Sequence, residues 1–182
     1  MGLSNQNIHP ILLLQEIERR SREKAAGLPQ QEDVKDEWIG IAFSVGRHKL
    51  VAPLGQVSEI LTYPEMSRVP GAKPWVLGIA NVRGNLLPIM DLEGFLHGRN
   101  AAARKRSRIL VVQHNGVFAG LLVDEVLGLR HFLEENRIRA PRNVELTIRP
   151  YVERAYSAMD EQWIVFSMHK LAESPLFMQV AI

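Results

Sequence analysis

Apolar residues in this chain gather into short runs divided by turn-forming residues, not into long amphipathic stretches. Runs at 39–45, 50–54, 86–90, 109–114, 117–123 and 163–168 are rich in Val, Ile, Leu and Phe and have strand length. Gly46-Arg47-His48 separates the first two. Asn115-Gly116, a pair suited to a type I′ turn, separates 109–114 from 117–123. Stretches 91–97 and 169–173 read as single helical turns. Short strands at this spacing predict small barrels or a sandwich.

The start of the chain has a different texture. Ile8, Ile11, Leu12, Leu14 and Ile17 recur at roughly helical spacing, with Glu16, Glu18, Arg19, Arg20 and Arg22 around them. Asn7 or His9 is placed to cap this helix, Pro10 suits its first turn, and Gly27 before Leu28-Pro29 stops it. Residues 30–37 read as a polar linker. Two readings stay open for the helix: a docking element for a partner, or a helix packed back on its own domain. The expected organisation is a helix and linker at 1–37, a β-rich domain at 38–175 and a C-terminal tail at 176–182.

The β-rich part also resembles itself. Ala52-Pro53-Leu54 leads to Val57-Ser58-Glu59-Ile60-Leu61, and Ala119-Gly120-Leu121 leads to Val123-Asp124-Glu125-Val126-Leu127. Later in each half a strand runs into a short helix, at 87–92 and at 164–171. Each half alone would bury too little apolar surface to be secure, so two similar subdomains packed face to face are expected.

Composition narrows the chemistry. The 182 residues are 46% apolar and 23% charged, with a net charge of +2 and no cysteine. That excludes a disulfide framework, thiolate metal sites and a thiol nucleophile. The first nine residues carry no Lys or Arg, and no stretch approaches the roughly 20 apolar residues of a membrane span, so a cytoplasmic protein without membrane insertion is expected. His9, His48, His97, His114, His131 and His169 include no i, i+4 pair, which leaves only a metal site assembled by folding; none is assigned. No nucleophile elbow, phosphate loop or dinucleotide fingerprint occurs, so no catalytic residue and no cofactor is expected. Asp124-Glu125 and Glu134-Glu135 are neighbours that a strand would point to opposite faces. Arg104, Lys105, Arg106 and Arg108, with Arg99, carry the alternative reading: a small basic β-barrel that binds nucleic acid. Without interleaved aromatics the run reads better as a solvated connector, or as a patch for an acidic protein.

One constellation remains. Pro74-Trp75-Val76-Leu77-Gly78-Ile79-Ala80-Asn81-Val82-Arg83-Gly84 precedes Leu87-Pro88-Ile89-Met90-Asp91-Leu92, two strand-like runs around a tight turn. An arginine there either projects a rigid fork toward a partner's carboxylate or carbonyl, or is simply a solvated turn residue. These residues, with Val57-Ser58-Glu59-Ile60 upstream and Gly120-Leu121-Leu122-Val123-Asp124-Glu125-Val126 downstream, resemble the CheW family of chemotaxis coupling proteins. A narrower resemblance, to the CheW-like adaptors of type IV pilus (twitching motility) pathways, rests on Arg19-Arg20, Ala25-Ala26-Gly27-Leu28-Pro29, Val51-Ala52-Pro53, Leu110-Val111-Val112 and Val180-Ala181-Ile182.

The resemblance implies an all-β fold with short helices: two SH3-like five-stranded β-barrel subdomains related by a pseudo-twofold, preceded here by the N-terminal helix. It implies a non-enzymatic adaptor joining the cytoplasmic tip of a chemoreceptor, PilJ-like in twitching systems, to the regulatory domain of a CheA-type histidine kinase, there ChpA-like. Other CheW-like proteins would be neighbours in an array, and receptors would recruit the protein to the inner membrane. Carried across by position, Glu59 and Arg83 would be polar receptor contacts, with Val57 and Ile60 beside them, Asn81 in the shared motif and Val123 on the facing wall of the second barrel.

Overall fold

The computed structural model describes residues 18–20, 36–98, 105–141, 144–158 and 161–181. The chain divides into two compact units, Met1–Lys35 and Asp36–Ile182. In the first, residues 18–20 are helical and exposed. The remainder of the expected N-terminal helix, with its caps and its stop at Gly27, lies outside the described residues, as do Arg99 and Arg104.

The second unit is mostly strand: β1 (Glu37–Val45), β2 (His48–Pro53), β3 (Glu59–Thr62), β4 (Met66–Ser67), β5 (Val76–Val82), β6 (Asn85–Asp91), β7 (Arg108–His114), β8 (Val117–Val123), β9 (Glu125–Leu133), β10 (Arg137–Ile138), β11 (Val152–Ala158) and β12 (Glu161–Phe166). Helix α1 (Leu92–His97) follows β6, and α2 (Met168–Ala172) and α3 (Pro175–Met178) follow β12. The strands make two six-stranded sheets, ordered β9-β1-β2-β12-β11-β10 and β3-β7-β8-β6-β5-β4. The two orders are one topology. Exchanging β1–β2 for β7–β8 and β9–β12 for β3–β6 converts one sheet into the other, including the parallel pairs β12 with β2 and β6 with β8. Each sheet holds the five long or medium strands expected and one two-residue strand, β4 or β10.

Burial explains why so many runs are apolar at consecutive positions. Successive strand residues face opposite sides, and here both sides are dry. Along β7, Ile109 and Val111 enter the interior of the second barrel (β3–β8), while Leu110 and Val112 enter a core shared between the barrels. Along β12, Trp163 and Val165 fill the first barrel (β1, β2 and β9–β12), while Ile164 and Phe166 face the shared core. Leu61, Met66, Val82, Leu87, Ile109 and Leu122 come from all six strands of the second sheet and share one interior, so that sheet is curled on itself.

Two expectations change in detail. The repeated halves of the sequence are not the two barrels: each half gives its leading hairpin to one barrel and its remaining strands to the other. The shared core is therefore stitched by the chain itself. Residues 176–182, set apart as a tail, supply Phe177, which is 2% exposed and packs against Trp75 and Phe95.

Candidate functional site

The β5–β6 hairpin turns in two residues, since Val82 pairs with Asn85. Such a turn needs positive φ at both central positions, and Arg83 (φ 51°) and Gly84 (φ 86°) supply it. Glycine adopts this freely and arginine at a cost, so Arg83 is held in an uncommon conformation. The Asn81 side chain steadies the turn by accepting a hydrogen bond from the Gly84 N–H at 2.9 Å.

From this platform the Arg83 guanidinium, its side chain 76% exposed, reaches the Glu59 carboxylate at 2.5 Å. Glu59 opens β3, where pairing opposite Val111 fixes its position. In the sheet order β3 stands at one end and β5 near the other, so the ion pair spans the closure of the curled sheet. An exposed pair of this kind contributes about 0–1 kcal/mol, so little opposes its opening to a partner's charges.

Around this pair the expected residues divide. Ile60, next to Glu59, is exposed. Val57 is partly buried against the shared core. Val123 must be corrected: at 2% exposed it sits in the shared core, because Leu121 and Val123 share the inward face of β8. Its side chain offers no surface to a receptor. Leu86 was missed. It stands opposite Asn81 across the hairpin and is 68% exposed, and its alternation with buried Leu87 was the available signal.

Elsewhere several charged residues are engaged internally. Arg106 faces Glu125 at 3.7 Å, and Arg108 donates to the carbonyls of Lys105 and Ser107. Folding also assembles two His–His–Glu clusters that the linear spacing hid. His114 and His169 stack 3.7 Å apart beside Glu173, which accepts from His114 at 2.7 Å. Burial and then the neighbouring His114 hold His169 below the ordinary imidazole value, and the His114 hydrogen bond holds Glu173 below the carboxylate range. The second cluster comprises His48, His97 and Glu145. Glu145 is held low first by a hydrogen bond from Arg47. In the first barrel, burial and then a 2.7 Å hydrogen bond to Glu134 push Tyr156 up to about 12.

Residues 40–176 match the model of the CheW-like domain. The chain belongs to the CheW-like family. Its motif reading is thereby borne out, and the barrels described above are the SH3-like barrels that the family resemblance implied. Relatives span the family. Protein PilI of Pseudomonas aeruginosa is 44% identical over 95% of this chain and 97% of its own length. The chemotaxis protein CheW of Helicobacter pylori is 32% identical over 62% of this chain and 68% of its own. Among solved structures, the scaffolding protein TtCheW from Thermoanaerobacter tengcongensis superposes with a TM-score of 0.64 at 25% identity, covering 72% of this CheW-like chain and 90% of TtCheW.

Proposed function

We propose that this CheW-like protein is a non-enzymatic adaptor of a type IV pilus chemosensory pathway, coupling a membrane receptor (PilJ-like) to a CheA-type histidine kinase (ChpA-like). The observation that carries the reading is the Glu59–Arg83 pair, displayed on a rigid turn with apolar Leu86 and Ile60 exposed on the same two elements. A receptor's cytoplasmic tip presents a helical hairpin. Its apolar face can settle on such residues while its own charges exchange with the ion pair and fix orientation. Asn81 acts through the turn it braces, and Val57 through the packing beneath β3.

The kinase's regulatory domain and other CheW-like proteins would take different surfaces, and each contact need only be modest because linkage in an array raises effective concentration. Among the described residues no helix is long and apolar enough to cross a membrane. On this reading the protein is cytoplasmic and reaches the inner membrane through its receptors. Co-purification of the chain with the receptor tip and with the kinase regulatory domain, scored separately, tests it. Both are expected to bind. Arg83→Glu is expected to weaken the receptor complex by about 1.5–3 kcal/mol, as for an interface hot spot, with unchanged circular dichroism. Undiminished receptor binding by a folded Arg83→Glu protein would remove this surface from the reading.

A further inference from the structure

His48 opens β2 in the first barrel, His97 ends α1 on the second, and Glu145 lies between β10 and β11. The cluster therefore joins three elements distant in sequence, at a cavity of about 590 Å³ also lined by Glu93 and Thr147. One ligand-type atom from each of the three residues lies within 4.8 Å of the others. His97 Nε2 is 2.8 Å from Glu145 Oε2 and His48 Nε2 is 3.4 Å from it, while His48 Nε2 is buried and makes no hydrogen bond. We propose that His48, His97 and Glu145 form a binding site for a zinc-type divalent cation, stapling the two barrels at this seam.

The donor set favours that class of ion. Two imidazoles and one carboxylate suit zinc, whereas magnesium and calcium prefer oxygen donors. Ligands about 2.0–2.1 Å from a tetrahedral ion lie roughly 3.4 Å apart, so two of the contacts already stand near that separation or inside it. The two imidazoles are partly exposed, at 17% each, and can rotate to close the third. A solvent molecule would complete a four-coordinate shell, as in sites with three protein ligands. Arg47 competes, since its guanidinium is bonded to Glu145. The His114–His169–Glu173 cluster provides an internal control: its rings stack in direct contact, 3.7 Å apart, whereas those of His48 and His97 also lie near-parallel, at 19°, but 5.5 Å apart, which leaves them room to turn toward a shared ion.

The test is calorimetric titration of the full, chelator-stripped chain with Zn²⁺ at neutral pH, followed by Co²⁺ as a spectroscopic probe. One Zn²⁺ per chain should bind, Mg²⁺ should not, and Co²⁺ should give the visible bands of a four-coordinate site. His48→Ala, His97→Ala and Glu145→Gln should each weaken Zn²⁺ binding by at least about 10-fold, the smallest loss seen even for residues behind the ligands. Arg47→Ala should tighten it by freeing Glu145, and His114→Ala should leave it unchanged. Histidine NMR signals read the same site without a variant: Zn²⁺ should shift those of His48 and His97 and spare His114, His131 and His169. No binding, binding untouched by the His48 and His97 substitutions, or shifts centred on His114 and His169 would each overturn the proposal. Receptor binding plays no part in these readouts.

Discussion

The two barrels share a strand order and differ in what fills it. Counted from their two-residue turns, the β1–β2 and β7–β8 hairpins have the same register, so Gly40 is equivalent to Ile109 and Val51 to Gly120. In the first barrel the glycine is on the leading strand, and a Cβ there would collide with the Val51 Cγ1. In the second the glycine is on the following strand, and a Cβ on Gly120 would meet the Ile109 Cγ2 at 2.6 Å. Each interior omits one side chain and fills the space from the opposite member of the hairpin. The remaining filling also diverges. Trp38, Phe132, Tyr156 and Trp163 make the first interior aromatic, whereas Ala80, Leu87, Ile89, Ile109, Val111 and Leu122 make the second aliphatic. The two barrels share a pattern of inward-facing positions while the residues that fill them differ.

The surfaces diverge further. The first barrel covers its aromatic residues with cations: Arg130 lies 5.5 Å and Lys49 5.9 Å from the Trp163 ring, and Arg154 lies 5.6 Å from Trp38. The second barrel instead carries the turn-mounted Arg83, paired across the sheet closure and flanked by exposed apolar residues. A fold used twice thus presents two surfaces, and the function assigned to one is not implied for the other.

The largest expected effect breaks the partnership of the barrels. Phe166 is fully buried in the shared core, edge-on to Phe43 and packed on Tyr151. Phe166→Ala should cost about 3–5 kcal/mol. If the core makes the barrels one cooperative unit, tryptophan fluorescence, weighted to the first barrel by Trp38 and Trp163, should melt together with far-ultraviolet circular dichroism. Separate transitions would show two independent barrels.

Next comes the mirrored glycine. Gly120→Ala should cost about 1–3 kcal/mol by overpacking. Ile89→Val removes the Cδ1 that the new methyl would meet at 2.7 Å, so it should cost less in the Gly120→Ala background than alone. Additive losses would mean that the interior relaxes elsewhere.

The smallest effect is a pH dependence. His169 is held below the ordinary imidazole value by burial and by His114, with Glu173 and Glu153 partly opposing. The unfolded chain therefore takes up this proton first, so stability is full above about pH 6.5 and declines as pH falls through that value. Glu173 and Glu145 lie below the ordinary carboxylate value, so their contribution is lost only on further acidification. Thermal melts across the imidazole range should flatten in His169→Gln; an unchanged slope would place the effect on another group.

Much of this was legible locally. Asn115 (φ 47°) and Gly116 (φ 81°) make the hairpin turn that their identities require, and the strand ends fall within a few residues of the apolar runs. The run at 163–168 extended too far because Ser167 is helical punctuation: its hydroxyl accepts from the Lys170 N–H and starts α2 at Met168. The nine-residue β9 was hidden, since residues 128–131 are all exposed and blur a two-residue alternation. Glu59 and Arg83 were legible through the motif, but their contact depends on sheet closure. The exchange of hairpins between barrels and the two histidine clusters depend likewise on which distant strands pair, and no local pattern records that.

The most direct test of the adaptor reading sets the two surfaces against each other. The receptor's cytoplasmic tip should be titrated into the wild-type protein, Arg83→Glu and Arg130→Glu, with folding of each checked by circular dichroism. The same charge reversal is thus made once on each barrel. Binding should fall by about 1.5–3 kcal/mol for Arg83→Glu and change little for Arg130→Glu. Equal losses, or a loss confined to Arg130→Glu, would contradict the assignment of the receptor to the Glu59–Arg83 surface.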